Sequence, residues 1–166
     1  MKLYQRNIKC FDEQKYFFMS ATIKTGLTVG VLSSLFLGVL AISGNHGGSP
    51  VKYVKYIILI IGLITFYHKR IKDWTYKEFV ARYIGSAATI SLITGLVIAV
   101  FNTNLYFINP EFSIQKYSLL ADSITQLFII DAIIVIETIV LGMLSGFIIF
   151  PYFKNKFLVK KDIHQP

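Results

Sequence analysis

A carboxylic acid inside an uninterrupted apolar run is the group most able to do chemistry in this chain, and Glu137 is one, lying between Ile133-Ile134-Val135-Ile136 and Thr138-Ile139-Val140-Leu141. A charged side chain at the centre of a membrane-crossing helix costs about 2.5 to 3.5 kcal/mol on insertion scales, so such an acid must be protonated or partnered. Three uses satisfy that demand: a proton- or cation-linked site, a contact to another subunit, or a neutral acid hydrogen-bonded inside a bundle. Lys24 is a poor partner because it falls near the opposite end of its own run, a depth gap of roughly 15 Å at 1.5 Å per residue; Ser91 and Thr94 lie nearer in depth. Asp131 is the second acid of the same run. At 100° per residue it shares a face with Thr138, Gly142 and Ser145, while Glu137 lies about 110° away beside Ile130, Ile134, Leu141 and Ile148.

The remaining polar groups point to less. Asn102, Asn104 and Asn109 gather at one end of a long apolar segment, where Asp122 and Asp131 of the following segment could meet them as a polar vestibule; asparagines at helix ends also serve as caps and headgroup contacts. His46, His68 and His164 are far apart, which disfavours a metal site. Cys10 is the only cysteine, so it has no disulfide partner and reads as an inert thiol. No phosphate loop, HExxH, GxSxG or dinucleotide fingerprint occurs. The expectation is a protein that is not an enzyme and uses no cofactor and no metal.

These residues must be positioned by helices in a bilayer. With 54% hydrophobic residues in 166, the chain is too apolar for a soluble domain of its size, and its net charge of +8 sits in the gaps between apolar runs. That placement reads as membrane topology, not as nucleic-acid binding. The predicted fold is an all-α integral membrane bundle of four transmembrane helices, at about residues 21–43, 51–68, 79–107 and 130–150, forming a single membrane domain over 1–166. About 20 apolar residues at 1.5 Å each cross a ~30 Å hydrocarbon layer. The charged stretch before Ala21 lacks a signal-peptide core, so the first run reads as a retained span. Span two reaches across only if Lys52 and Lys55 snorkel outward. Gly44 to Pro50 is a loop, and Lys69 to Lys77, with Trp74 and Tyr76, suits the headgroup zone. Asn109-Pro110 stops span three, and Pro151 closes span four. Between them, Tyr117, Leu120, Ile124 and Leu127 recur at helical steps, which predicts an amphipathic interfacial helix over about 110–127.

Charge orients the bundle. All 17 basic residues except Lys52, Lys55 and Lys116 fall on one side if both termini share it, which places the N-terminus and C-terminus in the cytoplasm and requires an even number of spans. Lys69, Arg70, Lys72 and Lys77 could contact anionic lipid headgroups there. Helices in lipid associate through small residues that allow close backbone approach. Gly26, Gly30, Ser34 and Gly38 continue a stripe from Thr22; Ser91, Gly95 and Ala99 form another between Ala87 and Thr103; Gly142 and Gly146 follow Thr138. These read as seams within the bundle or, alternatively, as a homodimer or larger-complex interface.

The order from Phe66 to Phe112 carries a likeness: a span, a short basic loop, then Phe79 opening a long span that ends in Tyr106-Phe107-Ile108-Asn109-Pro110-Glu111, with a glycine-containing last span followed by lysines. It resembles an uncharacterised family of small four-span bacterial membrane proteins, typical of Bacteroidota and catalogued as a domain of unknown function. The chain departs from that pattern at Lys72-Asp73-Trp74-Thr75, where members often have a glycine-rich turn, and at Glu137. The resemblance implies an inner-membrane location and no activity. The function expected is therefore a small multi-span membrane protein acting through protein or lipid contacts; the alternative is a transporter or channel subunit in which Glu137 titrates.

Overall fold

The computed structural model describes the backbone over residues 2–43, 53–74, 78–108 and 124–162, and side chains over 19–43, 53–74, 78–108 and 125–158. Four helices result: α1 (Lys2–Ile42), α2 (Val54–Arg70), α3 (Phe79–Ile108) and α4 (Ile124–Asp162). A 3₁₀ turn at Ile71–Asp73 follows α2 directly.

Three of the boundaries differ from expectation. α1 starts at Lys2, well before the apolar run, so the basic N-terminal segment continues the span's helix. Pro151 lies inside α4, which runs on to Asp162. Proline removes one N–H from the ladder, but the turns on either side are held here by Phe150, Phe153 and Phe157, which pack into the aromatic core described below. Ile124 to Leu127 form the first turn of α4, with Leu127 buried, and the rest of the expected amphipathic helix lies outside the described residues.

Three helical segments are long and apolar enough to cross a membrane: Met19–Ile42, Phe79–Ile108 and Thr125–Leu158. α2 does not match them. Its 17 residues reach about 25 Å at 1.5 Å per residue, short of a ~30 Å hydrocarbon layer, because the described helix begins only at Val54. The expected count of four spans thus stands in the described residues as four helices and three span-length segments.

α3 packs on α1 along one flank and on α4 along another, while α2 bridges α1 and α4 and lies diagonally across from α3. Gly26, Gly30 and Gly38 of α1 face Ile93, Val97 and Phe101 of α3 in ascending order, so α1 and α3 run parallel. On α3 and α4 the partners run in opposite order: Asn102 meets Asp131, Ser91 meets Gly142 and Ala87 meets Gly146. The two seams differ in kind. The α3–α4 seam sets small residues against small residues, whereas the α1 stripe receives large α3 side chains into its gaps.

The exterior is apolar. Leu27, Val31, Leu35 and Val39 of α1, Leu96 and Val100 of α3, and Ile136, Val140 and Ile148 of α4 are exposed, while Ser33, Ser86, Ser91, Thr94, Asn102 and Thr138 are almost wholly buried. An exterior of large aliphatic side chains around small and polar ones suits a lipid solvent, in which burying leucine gives no advantage and close backbone contact does.

Candidate functional site

Asp131 and Glu137 of α4 each find a partner on a different helix. Asp131 accepts hydrogen bonds from Asn102 Nδ2 (2.7 Å) and Thr103 Oγ1 (2.5 Å), both on α3. Asn102 is fully buried and Asp131 nearly so. An aspartate side chain that accepts bonds from two donors is satisfied in place, which makes this cluster a clamp on one end of the α3–α4 seam. Of the other asparagines, Asn104 turns back to the Val100 carbonyl of its own helix, and Asn109 and Asp122 lie outside the described residues. Asn102 and Asp131 pack against each other in the buried seam, whereas Asn104 is exposed on α3.

Glu137 sits six residues further along α4, about 9 Å deeper at 1.5 Å per residue. Its Oε2 lies 3.6 Å from Lys55 Nζ, near the start of α2. Lys55 does not snorkel outward as span two was expected to require: it is 4% exposed and its ammonium also lies 4.7 Å from the centre of the Tyr56 ring. A glutamate on the bundle side of α4 offers a countercharge at the same depth, and an ammonium paired there avoids the cost of standing alone in an apolar layer. Ser91 and Thr94, closer in sequence-based depth, are otherwise engaged: Ser91 donates to the Ala87 carbonyl and Thr94 to the Gly26 carbonyl. Asp131 and Glu137 therefore do not meet as one site. Asp131 faces α3 and Glu137 faces α2, as their angular separation on α4 requires.

At the opposite end lies an aromatic core that the spacing of residues does not announce. Tyr67 of α2 stacks on Tyr83 of α3 at 4.0 Å between ring centres and 12° between planes. Tyr67 donates its hydroxyl to the Tyr83 carbonyl, and Tyr83 donates its own to the Gly146 carbonyl of α4, each at 3.0 Å. Phe153 closes over Tyr67, and Phe79 stacks on Phe157. Trp74 belongs to this core. It is 5% exposed and edges onto Tyr67 and Tyr83, so the segment after α2 folds back under the bundle instead of presenting its indole to headgroups. The cause is connectivity: α2 and α3 are diagonal, so the chain between them must cross this end of the bundle.

Several basic residues belong to the segments that build this core. Lys69 and Lys72 are exposed; Arg70 contacts Asp73 at 3.7 Å, and Arg82 pairs with Glu78 at 2.9 Å. Lys77 lies outside the described residues. His68 Nδ1 is 3.3 Å from Lys156 Nζ. Among the described residues no three His, Cys, Asp or Glu side chains converge as a metal site would need.

The proposed packing residues lie where close approach needs them. A Cβ added at Gly26 or Gly30 would come within 3 Å of Ile93 or Val97, and one at Gly95 would meet Val135 Cα at 3.1 Å. Ser34 and Ala99 are buried within the bundle. Those faces are occupied by neighbouring helices of the same chain, so a homodimer would have to use other surfaces. One closest approach carries no such stripe: Gly62, alone on α2, sits against Val29.

Comparison with known proteins adds no relative: no family model matches the chain, and neither a curated protein nor a solved structure is significantly similar to it.

Proposed function

We propose that this chain is a four-span protein of the bacterial inner (cell) membrane, with both termini in the cytoplasm, that acts without catalysis through contacts with anionic lipid and with protein partners. The observation that carries the lipid contact is the exposure of Lys69 at the end of α2 and of Lys72 in the turn that follows, beside the buried Trp74, Tyr67 and Tyr83. A rigid basic edge loses little conformational freedom on meeting a charged leaflet, and each basic residue near such a surface contributes about 1 kcal/mol.

Support for a fourth span comes from the outward side of α2, where Ile57, Ile61 and Ile64 are exposed in the same manner as the aliphatic faces of its neighbours. α2 also runs beside the length of α4, from Lys55 with Glu137 to Tyr67 with Phe153. The asymmetry of lysine and arginine favours the cytoplasmic assignment of both ends. The layout resembling the four-span Bacteroidota family adds the inner-membrane location.

Topology is tested with Cys10, the only thiol in the chain. A membrane-impermeant maleimide labels it in inverted vesicles and leaves it unlabelled in intact cells, while Ser49→Cys in a Cys10→Ser background behaves in the opposite way. Labelling of both positions from one side removes α1 as a span, and a terminal tag at Pro166 found opposite Cys10 removes α2. The lipid reading is tested by thermal unfolding in mixed micelles: phosphatidylglycerol raises Tm above the value in phosphatidylethanolamine of the same chains. Equal values in the two lipids sink it.

The transporter reading keeps one observation in its favour. Glu137 Oε2 is buried and accepts no hydrogen bond among the described residues, its contact with Lys55 being a loose 3.6 Å. Proton or cation flux in liposomes that is abolished by Glu137→Gln would establish that use.

A further inference from the structure

A groove of about 490 Å³ runs between α1 and α2 on the outside of the bundle. Its inner mouth carries Lys24, Lys69 and Arg70, and among the described residues no acidic side chain lines it. Beyond the mouth the walls are Val29, Leu32, Ile58, Ile61, Gly62 and Phe66. Three threonines also line it, but Thr25, Thr28 and Thr65 donate their hydroxyls to the Ala21, Lys24 and Ile61 carbonyls of their own helices. Those bonds occupy the hydroxyl hydrogens locally, so the threonines add little polarity to the slot. The groove is therefore cationic at one end and apolar along the rest.

Its length decides the class of occupant. From Ala21 to Leu32 it covers about 16 Å of helix at 1.5 Å per residue, close to half of a ~30 Å hydrocarbon layer. That is the depth of one leaflet. Leu32 and Ile61 are more than half exposed beside it, so it opens sideways to the bilayer and not to the bundle interior. The slot is small for a helix about 10 Å across and right for a chain of methylenes. Lys24 strengthens the case: it is the one charge set within the apolar run of α1, and it is exposed at this mouth.

We propose that the α1–α2 groove seats an acyl chain of an anionic phospholipid of the cytoplasmic leaflet, with Lys24 and Lys69 binding its headgroup phosphate. This rests on the lipid-contact reading above and deepens it by naming the site. Arg70, already in contact with Asp73, adds positive potential at the mouth without being required to leave its partner. Lys72 provides the contrast, because it is exposed at the same end of the bundle but does not line the groove.

Native mass spectrometry of the full chain released from nanodiscs, with phosphatidylglycerol and phosphatidylethanolamine of identical chains in competition, tests this. Wild type retains phosphatidylglycerol preferentially. Lys24→Gln and Lys69→Gln each weaken that retention about fivefold, the fold-change equivalent to about 1 kcal/mol, and Lys72→Gln weakens it less than twofold. Thr28→Phe keeps every charge but fills the slot, and it too lowers retention severalfold; its helix content, read by circular dichroism, stays at the wild-type level. Soluble glycerol 3-phosphate does not displace the lipid, since it has no chain to bury. If Lys72→Gln matches Lys24→Gln and Thr28→Phe has no effect, the attraction is a diffuse one to the basic edge: the groove is overturned and the lipid reading stands. Displacement by glycerol 3-phosphate overturns the acyl-chain site in favour of a phosphate site. A dimer whose population falls with Thr28→Phe assigns the groove to a second copy. Absence of any preference in wild type overturns both the groove and the reading it rests on.

Discussion

Glu137→Leu alone lowers the unfolding free energy in detergent by about 3 kcal/mol, whereas the double change Lys55→Met with Glu137→Leu returns it to within about 1 kcal/mol of wild type. Removing one member of a buried ion pair strands the other, at about 3 to 5 kcal/mol, while replacing both by apolar side chains of similar volume is commonly neutral or stabilising. The low end of that range applies because the Glu137 side chain is 32% exposed. The same asymmetry in exposure orders the single variants. Lys55 is 4% exposed and cannot reach water when its partner is lost, whereas the Glu137 side chain is 32% exposed, so Lys55→Met costs less than Glu137→Leu. A double-mutant cycle by denaturant titration reads the coupling directly. Additive single effects would mean that the 3.6 Å contact contributes nothing, and the pairing account of Glu137 would then be wrong.

The second large effect belongs to Gly142. A Cβ there would collide with Ser91 Oγ and lie 3.3 Å from Leu59 Cδ2, so α3 and α2 both stand in its way. Ser91 has little room to yield, because its hydroxyl donates to the Ala87 carbonyl at 2.7 Å and holds the side chain against its own helix. Overpacking of this kind costs about 1 to 3 kcal/mol, which outweighs the gain of up to about 1 kcal/mol from replacing glycine by alanine in a helix. Gly142→Ala is therefore expected to lower Tm, and Ser91→Gly with Gly142→Ala to restore most of the loss by moving the missing methyl across the seam. Gly85 is the internal control. It is exposed on α3 with nothing within 4 Å of an added Cβ, so Gly85→Ala stabilises by about 0.5 to 1 kcal/mol. If Gly142→Ala behaves like Gly85→Ala, the seam is not closely packed in solution.

Stripes of small residues could be read along α1, α3 and α4, but nothing in their spacing says which stripe faces which. The structure sets Ser91 and Ala87 against Gly142 and Gly146, and it gives the α1 glycines to Ile93, Val97 and Phe101, which belong to no stripe. Pairing depends on the relative rotation and register of two helices, and that is settled by the fit of whole surfaces in three dimensions. Gly62 illustrates the limit. A lone glycine leaves no periodic trace, yet its closeness to Val29 is one of the tightest approaches in the bundle.

Composition and charge by themselves determined that this chain is an all-helical protein suited to a membrane, where its apolar runs lie, and that Glu137 needs a partner, because hydropathy and the cost of a lone charge act along a single chain. Only the tertiary structure decided what that partner is. The sequence alone directs Lys55 outward, since a cation near the end of a span has that option in any isolated helix. Once α2 lies beside α4, a carboxylate 3.6 Å away offers the ammonium a better place than the membrane surface, and the two residues are 82 positions apart in a sequence that does not record which helices are neighbours.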